Sequence, residues 1–410
     1  MLDQSPASDC FNNFPKPNRS LPRWITLPCM TWLSVISLAA AASADNGVST
    51  LANPPTPSLT TTVPDPENWN LYGQFTGVVQ WHPQFVAPYS GPNSLSAGNR
   101  NEETTDLTLF AGMRVWRGAE VWINPEIDQG FGLNNTLGVA GFPSGEAYKV
   151  GAIHPYWRLP RLFLRQAFDL GGEAQPVQSQ ANQLGGTATT NNVVLTVGKF
   201  SVVDIFDTNA YAHDPRGDFL NWSVVDAGAF DYAADAWGYT LGSAIEWTQS
   251  WWTLRGGVFA LSKIPNGKNA DTTFREHSFI GEWETRHQWL DHSGKLKFLA
   301  FVNHGRMSKY GDAVSLAQTT GTIPDVALVR HNNSRAGYAI NMEQEVTSDL
   351  GIYARASVND GSKEAFEFSD INKSLSVGIS LHGAAWSRND DSVGVAFVVK
   401  EVVPRNRTAG

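Results

Sequence analysis

Residues 237–247 read WGYTLGSAIEW. In an extended chain successive side chains point to opposite faces, so Trp237, Tyr239, Leu241, Ile245 and Trp247 share one face. Gly238, Thr240, Gly242, Ala244 and Glu246 share the other. The two tryptophans are separated by about 33 Å of extended chain, which after tilt matches the apolar band between the aromatic girdles of an outer-membrane strand. The stretch is therefore expected to be a membrane strand, with Leu241 and Ile245 against lipid and Thr240 and Glu246 against water.

The same period of two recurs along the chain. In TTDLTLFAGMRVW, residues 104–116, Leu107, Leu109, Ala111, Met113 and Val115 oppose Asp106, Thr108, Gly112 and Arg114, with Phe110 the exception on the polar side. AEVWINPEI, residues 119–127, sets Val121, Ile123 and Ile127 against Glu120, Trp122, Asn124 and Glu126. LYGQFTGVVQW, residues 71–81, behaves likewise, and further candidates lie near 161–169, 193–200, 252–261, 274–286, 295–305, 335–346, 350–358, 374–386 and 392–399. Each is roughly the length that crosses a bilayer as a tilted strand.

Alternation alone also suits a soluble sandwich, whose apolar face turns inward. The opposite face decides between them. A water-exposed face is usually dense in Lys and Glu, whereas here it carries Gly, Ser, Thr, Asn and Gln with single charges, as a confined wet lumen requires. Charged residues make up 17% of the chain against an average of about 25%. Tight links at 117–118, 248–250 and 347–349 alternate with long ones at 82–103, 130–146, 170–191, 263–273, 306–333 and 359–373. Short turns at one rim and long loops at the other point to an all-β, antiparallel up-and-down barrel in the outer membrane. About 14 to 15 strands can be counted. With 170–191 taken as a long-rim loop, the strands near 193–200 and 237–247 run toward the same rim, so 201–236 must either hide a strand or cross the lumen.

After Arg23 comes WITLPCMTWLSVISLAAAASA, uncharged and ending at the A-x-A site Ala42-Ser43-Ala44, the pattern of a cleavable secretory signal over 1–44. A Pro-, Thr- and Ser-rich leader without regular structure is expected over 45–68, the barrel over 69–400 and a separate tail over 401–410. Cys10 and Cys29 both precede the cleavage site, which excludes a disulfide-stapled scaffold. The net charge of −9 argues against nucleic acid as a partner.

YGQFTGVVQWHP, FAGMRVWRGAEVWINPEIDQGFGLNNTLGVAGFPSGEAYKVG, LRQAF, GKFSVVDIFDTNAYAHDPRGDFLNW, DYAADAWGYTLGSAIEW and GIYARASVNDGSKEAFEF together resemble the bacterial carbohydrate-selective porin family, the OprB type, over roughly residues 70–400. The resemblance implies a 16-stranded outer-membrane barrel that passes monosaccharides and related sugars. It departs from the family pattern at KEVVPRNRTAG, where relatives continue through further strands to a terminal aromatic, so a barrel lacking its closing strands is expected. Whether such a barrel stands alone or as a homo-oligomer is open at this stage, and no cofactor is expected.

Sugars offer hydroxyls and an apolar ring face, so their passage calls for charged or amide groups and aromatic surfaces. Glu120, Trp122, Asn124 and Glu126 form the densest pore-facing set, with Trp122 as the expected stacking platform. Arg114, Arg165, Lys199, Glu246, Arg255, Glu282 and Arg355 share the inward phase, and Asp204 and Asp207 lie in the stretch of conflicting parity. The same charges could instead pair with one another and stiffen the wall. Trp251 and Trp252 follow a tight turn and suit a girdle.

Two rivals stand beside a sugar porin. One is a nonselective porin of the same architecture. The other is a secreted glycosidase using Glu282 with Glu284, or Asp204 with Asp207, although no G-x-S-x-G, HExxH or P-loop motif accompanies them. His287 and His292 have no third ligand nearby in sequence, so no metal site is expected.

Overall fold

The computed structural model describes residues 66–402, apart from 89, 91–93 and 148. The expected signal over 1–44, most of the leader and the tail from 403 lie outside the described residues.

Alternating sequences form β1 (Trp69–His82), β2 (Arg100–Trp116), β3 (Ala119–Gly130), β4 (Ala152–Asp169), β5 (Ala174–Val177), β6 (Gly186–Thr189), β7 (Asn192–Phe200) and β8 (Thr240–Gln249). They continue as β9 (Trp252–Ala260), β10 (His277–Trp289), β11 (His292–Met307), β12 (His331–Glu345), β13 (Leu350–Asn359), β14 (Lys373–His382) and β15 (Ser392–Glu401). Thirteen of them form one antiparallel sheet in chain order, and β5 and β6 pair separately as a hairpin. Among the described residues β1 and β15 do not pair with each other.

The sheet is polar inside and apolar outside. On β2, Thr104, Asp106 and Thr108 are buried while Leu107, Leu109 and Met113 are exposed. The same inversion places Phe75 at 71% exposure and Ile245 at 49%, against 2% for both Glu282 and Lys297. An apolar outer surface this continuous inverts the pattern of a water-soluble protein and is that of an outer-membrane barrel. Trp69, Trp116, Trp251 and Trp289 are exposed near the short-turn ends, and Trp81, Trp157, Phe279 and Tyr338 toward the long-loop ends, as two aromatic girdles would be. Among the described residues no helix is long and apolar enough to cross a membrane.

The parity conflict resolves through residues 170–191. The sequence reading put them at the long-loop rim, but β4 descends to the short-turn rim and β7 rises from it, so this connection belongs at the short-turn end. β7 then pairs directly with β8, Asn192 opposite Thr248 through Phe200 opposite Thr240. Residues 201–239 form no wall strand. They fold inward, carrying Phe206, Phe230 and Tyr232 into a buried cluster with the wall residues Phe259, Leu299 and Phe301. Within this segment Arg216 reaches Thr76 of β1 at 3.1 Å, while Phe219 packs at 5.9 Å from Tyr353 and beside Gly394 of β15. The sheet therefore curls until its first and last strands face one inner loop.

Candidate functional site

Inside the sheet a cavity of about 1760 Å³ runs between β4, β7, the inner loop and the tip of the β5–β6 hairpin. Its basic wall comes from β4. The sequence RLPR, residues 158–161, contains Pro160, which cannot donate to the ladder and is tolerated at a bulge. The pairing slips there: Asn124 faces Arg161 but Glu126 faces Arg158. The slip aims two arginines three positions apart at the same cavity, where strict alternation would have sent one outward.

Arg161 grips Asp204 with two hydrogen bonds, Nε to Oδ2 at 2.8 Å and Nη2 to Oδ1 at 2.5 Å. Burial would raise the Asp204 pKa, but the Arg161 guanidinium and the Ser201 amide outweigh it and hold the carboxyl below the usual range. Arg158 bonds Glu126 and Asp128. Both guanidinium groups lie over the Tyr239 ring, at 4.9 Å for Arg161 and 5.2 Å for Arg158. Trp237 stands beside them, donating from Nε1 to the Tyr156 hydroxyl at 2.9 Å. The turn carrying both aromatics is held by Asp235, whose Oδ1 accepts from the Trp237 and Tyr239 amides at 3.0 and 3.1 Å. Lys199 clamps the other Asp235 oxygen at 3.0 Å. Gly238 makes the turn possible, with φ of +95°.

This corrects the reading of residues 237–247. Regular pairing of β8 starts at Thr240, so Trp237 and Tyr239 border the cavity instead of lipid. Ile245 and Trp247 do face outward, and Trp247 packs edge-on against Trp252 at 5.2 Å.

Of the residues chosen from sequence, Glu126, Arg165, Asp204 and Glu246 border the cavity. Trp122 faces inward but is completely buried, with its ring over Gly112, so it offers no free stacking face. Glu120 accepts from the Trp122 indole at 3.2 Å and pairs with Arg114 at 3.8 Å. Asn124 donates to Asn182 at 2.9 Å. Arg255 sits between Glu246 at 2.9 Å and Glu282 at 2.8 Å, its cross-strand neighbours, and reaches Glu284 at 3.0 Å. Arg355 is sealed under the inner loop, bonding the Asp207 carboxylate at 3.1 Å and the carbonyls of Ala212 and Val224 at 2.6 and 2.8 Å. The carboxylate pairs considered for a glycosidase are thus bound to basic side chains. Arg158, Arg161, Trp237 and Tyr239 were missed: Pro160 signalled the bulge that recruits Arg158, while Arg161 shares the inward phase of Arg165.

A search of curated proteins returns no sequence match. The structure is similar to Pseudomonas putida OprB, with a TM-score of 0.59, 15% identity, and coverage of 82% of this chain and 76% of that one. It also aligns with Acinetobacter baumannii OccAB1 at a TM-score of 0.41 and 12% identity, over 83% of this chain and 82% of that one. The family model described as carbohydrate-selective porin, OprB family, matches residues 93–410. With the inverted sheet and the charged, aromatic passage it encloses, that match means that the chain belongs to the carbohydrate-selective porin family, OprB type, whose members are outer-membrane channels and not enzymes.

Proposed function

We propose that neutral sugars cross through this cavity and that Arg158, Arg161 and Tyr239 are what they meet at its narrow, basic wall. The observation that carries this reading is the Tyr239 ring set beneath two guanidinium groups that line the cavity. An aromatic face takes the C–H side of a pyranose, and fixed donors take its hydroxyls. Both arginines already hold carboxylates, so the wall carries little excess positive charge with which to trap an anion. Weak, repeated hydroxyl contacts let a sugar enter and leave, as conduction requires.

On this reading Glu126, Arg165, Asp204 and Glu246 line the route. Arg114, Glu120, Trp122, Asn124, Lys199, Asp207, Arg255, Glu282 and Arg355 stiffen the wall and fix the inner loop. The apolar outer face takes lipid as its partner, and residues 1–44 serve as the cleavable export signal. Liposome swelling tests the selectivity: faster entry of glucose than of a non-sugar of similar size supports it, whereas equal entry indicates a nonselective pore. Tyr239→Ala should remove the preference for glucose.

A further inference from the structure

The β5–β6 hairpin enters the sheet from the short-turn rim, opposite to the inner loop. Gln180 and Gln183 exchange backbone hydrogen bonds, both 3.0 Å, closing a tight turn on Ala181 and Asn182. Asn182 adopts φ of +63°, a left-handed conformation that asparagine tolerates better than most residues. The tip is fixed inside the wall: Asn182 Oδ1 accepts from Asn124, and its carbonyl accepts from Arg165 Nη1 at 2.7 Å. Leu184 is buried in the main apolar cluster, and the Gly185 amide donates to Glu67 at 2.8 Å.

A hairpin serving only as a stopper would pair off the polar groups around it. Here some are left open. Among the described residues the Gln180 side-chain amide has no hydrogen-bond partner; it is exposed and borders the cavity. Thr196 borders it too; it is only 2% exposed, and its hydroxyl is without a partner. Thr196 lies directly across the ladder from Arg165, which in turn lies across from Glu120. A buried hydroxyl such as that of Thr196 is normally satisfied, and a wet passage where it meets the exposed Gln180 amide is suited to a hydroxylated ligand.

We propose a second sugar subsite at the short-turn exit, formed by Thr196, Arg165 and the amides of Gln180 and Asn182, separate from the Tyr239 station. It rests on the sugar reading above and extends it: a sugar released from Tyr239 is caught once more before leaving, and a sugar arriving from the periplasmic side meets the hairpin first.

The test is single-channel recording of the full-length protein in planar bilayers, with D-glucose added to one side at a time. Thr196→Val keeps the side-chain shape and removes the hydroxyl; Gln180→Ala is the second variant, on a different element. Each should weaken saturable block by glucose from the short-turn side about fivefold, the worth of roughly one hydrogen bond. Block from the long-loop side should change much less, and sugar-free conductance should stay as in the native channel. Tyr239→Ala should show the opposite sidedness. Native-like block from both sides in both Thr196→Val and Gln180→Ala, with block weakened in Tyr239→Ala, overturns the exit subsite and leaves the sugar reading standing. Absence of saturable glucose block in the native channel overturns both.

Discussion

Two stretches of the inner wall carry arginines in the same inward phase and use them differently. On β4, Arg158 and Arg161 border open space and stack on Tyr239. On β12 and β13, Arg335 and Arg355 are sealed, with side-chain exposures of 1% and 0%. Arg335 bonds Asp231, whose carboxylate also collects the amides of Phe366, Glu367 and Phe368. Arg355 bonds Asp207, and Asn341 donates to the same oxygen at 2.7 Å. Asp207 and Asp231 belong to the inner loop, as does the Asp204 held by Arg161, so both walls tie the loop down but only the β4 arginines also face the passage that remains. The difference teaches that an inward charge gains its role from what the loop covers, not from its strand.

The largest expected effect comes from breaking the sealed side. Asp207→Ala leaves Arg355 as an uncompensated buried charge, a change that typically costs about 3–5 kcal/mol. Urea unfolding in detergent should show the loss, and the native-like inserted fraction should conduct more because the inner loop is released. Arg161→Ala on the open side should destabilise far less than Asp207→Ala; equal losses would erase the contrast between the walls.

Ile245→Arg should cost about 2–4 kcal/mol by placing a charge against hydrocarbon near the middle of the bilayer. Folding into lipid vesicles measures this, and a cost near zero would argue that Ile245 does not meet lipid. Tyr239→Ala should leave folding nearly unchanged and reduce glucose affinity by about tenfold, equivalent to about 1.4 kcal/mol, as read from glucose block of single channels.

The smallest effect concerns pH. The folded pKa of Asp204 is depressed, so the stability it contributes is fully present above the unfolded carboxylate value, about 3.9, and is lost as pH falls through the lower folded value. Asp204→Asn should therefore differ from the native protein in unfolding midpoint at pH 7, and the difference should shrink only below about pH 4. A difference that already vanishes between pH 7 and 5 would show that the Arg161 pair does not hold Asp204 ionised.

Much of the wall was legible because a membrane strand must repeat every two residues, and β2, β3 and β10–β13 keep that period. The candidate site was less legible. Pro160 breaks the period on β4, and Asp235 with Gly238 turns Trp237 and Tyr239 off the strand, so the aromatics that seemed most suited to lipid border the passage. Trp122 has the right phase, but its burial depends on contacts between distant segments, which periodicity does not contain. The side of the sheet on which 170–191 lies was misjudged for a similar reason: its length resembled a long-rim loop, while the length of β4 brings its end to the other rim.

The central claim is that the apolar face of these strands meets lipid while the polar face meets water. Bimane attached to a cysteine at Ile245 or at the adjacent Glu246, in bilayers of brominated lipid, tests it most directly. Strong quenching at position 245 with little at 246 is the result this structure predicts. Equal quenching at the two positions, or quenching at 246 alone, would contradict it.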